Sequence, residues 1–166
     1  MFLLNKIVAA VLAMLAQQAA MDKDFKPLAQ MTGADTLVEQ SRAAMISSEG
    51  EWRVLWRAHK EQYGNSNLDP APTVDFQKNV VICYFGGSGR GVDGYQIYKV
   101  DTKGEWNVIQ IVPHLFTGGQ VLSNSFAMWI FPKPKRKVEI QMFDSVNNGE
   151  PVFKKIAIFE PPKKSN

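Results

Sequence analysis

The apolar residues first mark out one amphipathic helix. Four side chains recur at the spacing i, i+3, i+4 and i+7: Trp52, Leu55, Trp56 and His59. This spacing places all four on one face of an α-helix. The preceding segment 48–51 (SEGE) is a capping box, in which the side chains of Ser48 and Glu51 can bond to free backbone amides. We predict a helix from this box to about Tyr63, ended by the polar run 64–67.

From Val74 onward the pattern changes to that of β-strands. The run from Val80 to Phe85 is apolar at every position, as expected for a central strand that is covered on both faces. Within 136–143, apolar and polar residues alternate, which is typical of a strand with one exposed face. Further strands are predicted at 95–100, 106–112, 126–131 and 152–159. The segment 36–47 favours neither strand nor helix.

Turn residues connect these strands. The segments 101–104 (DTKG) and 147–149 (NNG) each end in glycine, which adopts the positive φ that tight hairpin turns require. Six to eight mostly antiparallel strands accompany a single helix, without repeats or a linker. The sequence therefore predicts a mainly β fold with one helix, arranged as an antiparallel β-sandwich or an open barrel.

Length and composition indicate a single domain. The chain has 166 residues, of which 45% are hydrophobic and 21% charged, as in ordinary globular proteins. Cys83 is the only cysteine, so an internal disulfide is excluded, and two histidines leave little material for a metal centre. We expect one β-rich domain at 21–160 and a flexible tail at 161–166. Neither a metal nor a cofactor is expected.

The N-terminal residues have the layout of a secretory signal peptide. A basic start ending at Lys6 precedes an apolar run from Ile7 to Ala16 and a cleavage segment at 17–20. The apolar run is shorter than the roughly 20 residues that span a bilayer, which disfavours the alternative of a membrane anchor. We expect residues 1–20 to be removed on export. The product would be periplasmic or secreted, with no stable membrane insertion.

The charge argues against a nucleic-acid partner. Without residues 1–20, the chain has 18 basic and 16 acidic residues, a net charge of +2. This charge is too small to favour nucleic-acid binding. The basic run 133–137 (KPKRK) resembles a nucleic-acid patch, but an exported protein would not meet that ligand. We interpret it as a cationic turn that discourages pairing at a sheet edge.

The segment 86–95 (GGSGRGVDGY) is the strongest candidate binding site. It contains the G-x-G-x-x-G spacing of dinucleotide-binding loops, but that motif requires a following helix, and strand follows here. Two interpretations remain: a plain glycine-rich hairpin loop, and a loop that binds a partner through free amides and Arg90.

The signs of catalysis are weaker. His59 lies on the apolar helix face, where a packed histidine is expected. His114 could pair with Ser123 or Cys83 as a nucleophile, but the sequence contains no G-x-S-x-G motif. Cys83 also lies within an apolar strand, where thiols are usually inert. We expect no enzymatic activity.

Several segments occur in the order found in one family. They are EWRVLW at 51–56, VDF at 74–76, VVI at 80–82, the glycine-rich segment, and GYQI at 94–97. Over residues 25–143 the chain resembles the C-terminal domain of the protease complex subunit PrcB family. This resemblance implies an exported, non-catalytic β-rich domain that accompanies or stabilises a secreted protease. Family members usually carry a threonine-glycine-glycine-tyrosine type sequence where this chain has VDGY at 92–95.

The chain is therefore expected to bind a protein, with a secreted protease as the expected partner. Arg90 would supply charge and Tyr95 a rigid aromatic edge, with the segment 117–124 beside them. The expected partner-binding residues are Gly86, Gly87, Ser88, Gly89, Arg90, Gly91, Asp93, Gly94, Tyr95, Thr117, Gly118 and Gly119. The alternatives are a small hydrolase using His114 with a nearby hydroxyl, and a binder of a small molecule or glycan through exposed tryptophan.

Overall fold

The computed structural model describes residues 25–60, 70–115 and 122–162, except for the side chain of Arg90. Within these ranges the elements are β1 (Ala29–Gly33), β2 (Arg42–Ile46), α1 (Glu49–Lys60), β3 (Asn79–Arg90), β4 (Val92–Lys103), β5 (Trp106–Leu115), β6 (Leu122–Pro132), β7 (Lys137–Asn147) and β8 (Glu150–Phe159). The predicted signal peptide at 1–20 and residues 163–166 of the predicted tail lie outside the described residues.

The strands form two four-stranded sheets. Their orders are β1-β6-β3-β2 and β4-β5-β7-β8. Neighbouring strands are antiparallel, except that β5 and β7 run parallel. The two sheets pack against each other, so the prediction of a mainly β fold is confirmed and the architecture is a β-sandwich. The segment 36–47, for which the sequence left both structures open, contains the strand β2.

β3 is buried on both faces, as predicted from its continuous apolar run. Val80 and Ile82 face the second sheet, whereas Val81, Cys83 and Phe85 face the helix. The core between the sheets contains Phe25, Val80, Ile82, Tyr95, Ile109, Ile111, Ala127, Trp129, Phe131, Val138 and Ile140. Each large apolar side chain buried in this way contributes about 1.5–3 kcal/mol to folding. This core is therefore a major source of stability.

α1 covers the opposite face of the first sheet. Trp52 and Leu55 are buried there, and Trp52 Nε1 donates a hydrogen bond of 2.9 Å to the carbonyl of Pro72. The predicted capping box is present at its N-terminus. The Glu51 amide donates to Ser48 Oγ at 3.3 Å, while the Glu51 carboxylate accepts from the Ser47 amide at 3.0 Å. The carboxylate thus reaches one residue further back than the motif predicts, and these bonds lower its pKa.

The predicted hairpin turns have the expected backbone geometry. Asn148 and Gly149 join β7 to β8 with φ values of 50° and 83°, as a two-residue hairpin turn requires. Gly104, with φ of 58°, lies between β4 and β5. The strand before it extends to Lys103, so this turn is shorter than predicted.

In the described part of the chain, no helix combines the length and apolar character needed to cross a membrane.

The cationic segment 133–137 connects β6 of the first sheet to β7 of the second. The Arg136 guanidinium donates to the carbonyl of Gly104, next to the β4–β5 turn. The Lys137 ammonium lies 5.6 Å from the centre of the Trp106 ring and 2.8 Å from a carboxylate oxygen of Glu160. These contacts hold the connection against the second sheet.

Candidate functional site

The glycine-rich segment forms strands, not the loop that the sequence predicted. Gly87 to Arg90 form the end of β3 and pair with Leu122 to Ser125 at the start of β6. Val92 begins β4 and pairs with Leu115 at the end of β5. The chain passes from the first sheet to the second at Gly91, whose φ of 72° favours glycine. The prediction of a loop is wrong because the strand pairing with β6 continues through the glycines.

We call the exposed end of these strands the glycine corner, defined as residues 88–92, 115 and 122–124. β2 pairs with β3 only as far as Phe85, and β1 pairs with β6 only as far as Phe126. Beyond those positions, the Ser88 amide donates to the Glu39 carbonyl and the Thr36 amide donates to the Asn124 carbonyl. The segment 35–39 thus flanks Ser88 and Asn124. Only the pairs Gly89–Ser123 and Arg90–Leu122 extend past it as a short two-stranded projection.

Tyr95, which the sequence predicted as a rigid aromatic edge of the binding loop, is instead buried in the core. Its hydroxyl accepts a hydrogen bond of 3.1 Å from Ser125 Oγ, and burial raises its pKa. Gly86 makes this position possible, because a Cβ there would overlap the Tyr95 hydroxyl. The Tyr95 ring also packs edge-on against Tyr84, with ring centres 4.7 Å apart.

Gly94 is also buried and has a structural role. Its φ is 103°, which side chains rarely adopt, and a Cβ would overlap Thr32 Oγ1. Thr32 Oγ1 in turn accepts a hydrogen bond of 3.0 Å from the Tyr95 amide and donates one of 3.1 Å to the Phe126 carbonyl. This close packing joins β1, β4 and β6. Gly87 is likewise buried, and Asp93 is half-buried.

Two leucines are the main apolar side chains exposed at the glycine corner. Leu115 is 66% exposed and Leu122 is 67% exposed. Ser88 is also exposed, and its hydroxyl donates a hydrogen bond of 2.6 Å to Asn124 Oδ1. The leucines flank the segment 116–121, which contains the predicted binding residues Thr117, Gly118 and Gly119 and lies outside the described residues.

Leu115 and Leu122 are not among the binding residues predicted from the sequence. A signal was present, since each lies two residues from the polar, glycine-containing segment 117–120, with one apolar residue between. Their exposure, however, depends on how far β5 and β6 extend beyond their neighbours. That extension results from tertiary pairing, which a single sequence does not show.

The described side chains do not assemble the nucleophile pairs considered from the sequence. Ser123 Oγ donates to the Val92 carbonyl at 2.9 Å, and within the described ranges no hydrogen bond links it to His114. Cys83 is buried, its thiol donates to the Ala44 carbonyl, and burial raises its pKa to about 12. Such a thiol is not a nucleophile at neutral pH. The described residues also contain no cluster of three or more potential metal ligands.

His59 is a packed core histidine, as predicted from its place on the helix. Its Nδ1 shares a hydrogen bond of 2.8 Å with Thr36 Oγ1, and its ring centre lies 4.2 Å from that of Phe126. Burial lowers the pKa of His59 to about 4, with a further contribution from the charge of Lys60. The ring is therefore neutral near pH 7.

The groove beside α1 does not resemble a typical small-molecule pocket. An open groove of about 970 Å³ lies beside the N-terminus of α1, with a mostly polar lining that includes Glu49, Asp75 and Lys133. Small-molecule pockets are usually enclosed and mainly apolar. The alternative also required an exposed tryptophan, but Trp52 and Trp129 are buried, and the other two are half-buried.

Fold and site together define a β-sandwich domain with one helix packed on its first sheet and a projecting corner between the sheets. No model of a known family, no curated protein and no solved structure matches the chain. The resemblance to the PrcB family therefore rests on the sequence segments alone and stays a prediction.

Proposed function

We propose that the chain is a non-catalytic protein-binding domain and that the glycine corner is its binding surface. The exposure of Leu115 and Leu122 carries this proposal. Leu115 ends β5 and Leu122 begins β6, and burying one such side chain against a partner contributes about 1.5–3 kcal/mol. Two such side chains at one end of the sandwich would form the apolar centre of a small interface.

The backbone of the corner supports a protein partner over a small ligand. Ser88 and Asn124 are already bonded to residues 36–39, but the strand ends at 89–90 and 122–123 extend past these segments, so their outer edges can pair with an extended segment. Gly89 and Gly91 have no atoms close to the position of a Cβ. A partner backbone can therefore approach these two residues closely.

A secreted protease is the partner class that the PrcB resemblance implies. Proteases bind extended chains in their clefts, and the narrow two-stranded projection has a shape that suits such a cleft. Arg90 at the end of β3 would add a charged contact to a carboxylate or carbonyl group. The partner and the export of the chain are both parts of this proposal.

The partner is sought by capture with the purified protein from an extract of the exporting cell. A protease should be recovered, and Arg90→Ala should weaken its binding roughly fivefold to 150-fold, the equivalent of 1–3 kcal/mol. The melting temperature of this variant should hardly change. Arg57→Ala, an exposed arginine on α1, is the matched control and should bind normally. Loss of folding in Arg90→Ala with unchanged binding of the folded fraction would contradict the proposal.

Export is tested separately by N-terminal sequencing of the protein that the cell produces. The expected first residue lies between Ala20 and Asp22. Intact protein retained in the cytoplasm would contradict export. It would not contradict the glycine corner as a binding surface, which the variants test separately.

A further inference from the structure

Aromatic side chains form a strip across the second sheet, defined here as Tyr98, Phe143 and Phe153. Tyr98 on β4 and Phe153 on β8 have ring centres 5.3 Å apart, although these strands are the two opposite edges of the sheet. Their rings therefore reach toward each other over β5 and β7. Phe153 also packs edge-on against Phe143, its partner on β7, with ring centres 6.1 Å apart. Tyr98 is 56% exposed, so the aromatic strip presents a ring to solvent.

The aromatic strip lies on the outer face of the second sheet, turned away from the first sheet. Side chains alternate between the two faces along a strand. On β7, Val138 and Ile140 lie in the core between the sheets and Met142 packs against it, so Phe143 points to the outer face. The one described helix packs on the first sheet, and no described strand lies over this face. The aromatic strip is therefore open to a ligand.

A chain of hydrogen-bonded polar side chains runs beside the aromatic strip on the same face. Gln110 Nε2 donates to Gln141 Oε1 at 2.9 Å, and Gln141 Nε2 donates to Glu139 Oε1 at 2.6 Å. Gln141 stands two residues before Phe143 on β7, a spacing of about 6.8 Å along a strand. These bonds fix the orientation of the side chains. Each amide nitrogen carries a second N–H and each oxygen a second lone pair, which can serve a ligand.

We propose that the aromatic strip and the adjoining amides bind a glycan with uncharged sugar rings. One face of a pyranose ring is lined with C–H groups, which pack well against the electron-rich face of an aromatic ring. The hydroxyl groups of a sugar both donate and accept hydrogen bonds, as an amide side chain also does. Tyr98 would stack on a sugar ring, while Gln110 and Gln141 would bond to its hydroxyl groups.

The charges beside the amides favour an uncharged ligand. The ammonium group of Lys99 lies 3.2 Å from a carboxylate oxygen of Asp101, and that of Lys155 lies 3.9 Å from one of Glu139. Each of these lysines is therefore paired with a carboxylate. A phosphate group or an acidic sugar would find no excess of opposite charge there.

The arrangement of apolar and polar groups favours a glycan over a protein. A protein interface has an apolar centre and a polar rim. On this face the amides of Gln110 and Gln141 occupy the two central strands, whereas the exposed ring of Tyr98 comes from an edge strand. Hydrogen-bonding groups at the centre suit a ligand that carries hydroxyl groups along its whole length.

This inference is independent of the proposed function. The glycine corner lies at strand ends between the two sheets, and it shares no residue with the aromatic strip or the amides. Sugars can also be tested without the protein partner, so the failure of one proposal leaves the other standing.

NMR titration of the isotope-labelled protein with neutral tetrasaccharides tests the proposal. The probes are cellotetraose, chitotetraose and maltotetraose, which differ in linkage and substituents. At least one should bind and shift the side-chain amide signals of Gln110 and Gln141. Tyr98→Ala should weaken binding about fivefold to tenfold, whereas Tyr98→Phe, which keeps the ring, should bind as the wild type does. Val54→Ala, at an exposed position on α1, is the matched control and should bind normally.

Other outcomes would overturn the proposal. The absence of binding to all three sugars at millimolar concentration would do so. Normal sugar binding by Tyr98→Leu, which is apolar but not aromatic, would show that no ring stacks on the sugar. Weaker capture of a protein partner by Tyr98→Ala, with no sugar bound, would make this face a protein-binding surface instead. Thermal melts show whether each variant folds, and Tyr98→Leu replaces Tyr98→Ala if the latter does not.

Discussion

Tyr95 shows at the scale of single residues why the segment 86–95 needs its glycines. Gly86 leaves room for the Tyr95 hydroxyl, and Gly94 lets β4 pass close to Thr32. The sequence carries a signal for the special backbone at Gly94, because this glycine directly precedes the predicted strand 95–100. It did not predict the burial of Tyr95, since that depends on Gly86 and Ser125 from two other strands.

Valine substitutions separate these internal glycines from the exposed ones. Gly94→Val should lower the free energy of unfolding by about 2–4 kcal/mol, because the side chain meets a φ of 103° and the Thr32 hydroxyl. Gly89→Val is the control, since nothing lies near its Cβ position, and its stability should change by less than about 1 kcal/mol. Urea denaturation measures both. Equal losses in the two variants would show that the contact at Thr32 does not determine stability.

His59 should make stability depend on pH. Its pKa is about 4 in the folded protein against an ordinary value of 6.5. As the pH falls below 6.5, the unfolded chain therefore binds a proton before the folded one does. The resulting stabilisation is complete above pH 6.5 and is lost as the pH falls toward 4, by on the order of 2 kcal/mol.

Urea denaturation between pH 7 and pH 4 compares the wild type with His59→Gln, which retains a hydrogen-bonding side chain but cannot titrate. The difference in stability between the two proteins should shift in favour of the variant as the pH falls. A difference that stays constant across this range would contradict the low pKa of His59.

At the scale of elements, the sequence predicted the helix and the central strand correctly, because their patterns involve residues close along the chain. The helix follows from its apolar spacing and its capping box, and the central strand follows from an apolar run buried on both faces. The end of β3 was missed because Gly86 to Gly91 carry no apolar alternation. Their strand conformation comes from pairing with β6, which is distant along the chain.

Trp52 anchors α1 to the first sheet. Trp52→Ala should lower the free energy of unfolding by about 3–5 kcal/mol, since it removes a buried ring and the donor to the Pro72 carbonyl. Val54→Ala, on the exposed side of the same helix, should change stability by less than about 0.5 kcal/mol. Chemical denaturation of both variants measures the difference. A small loss for Trp52→Ala would mean that α1 contributes little to the fold.

At the scale of the whole molecule, the sequence predicted the sandwich and the neighbourhood of the candidate site, but not the surface that is exposed there. The glycine-rich segment and residues 122–124 do lie side by side as paired strands. Tyr95 and Gly94, however, are buried, while Leu115 and Leu122 are exposed. The exposed set depends on where each strand ends relative to its neighbours in the two sheets, so it could be identified only from the assembled fold.

The most direct test of the glycine corner is the dissociation constant of the protein for the partner recovered by capture. The double variant Leu115→Ser, Leu122→Ser should bind at least about tenfold more weakly, because two apolar contacts are lost. Its melting temperature should stay close to that of the wild type, since both side chains are exposed. Leu28→Ser, at a leucine that is 62% exposed outside the corner, should bind as the wild type does. Unchanged binding by the double variant, or an equal loss in Leu28→Ser, would contradict the assignment of the glycine corner as the binding surface.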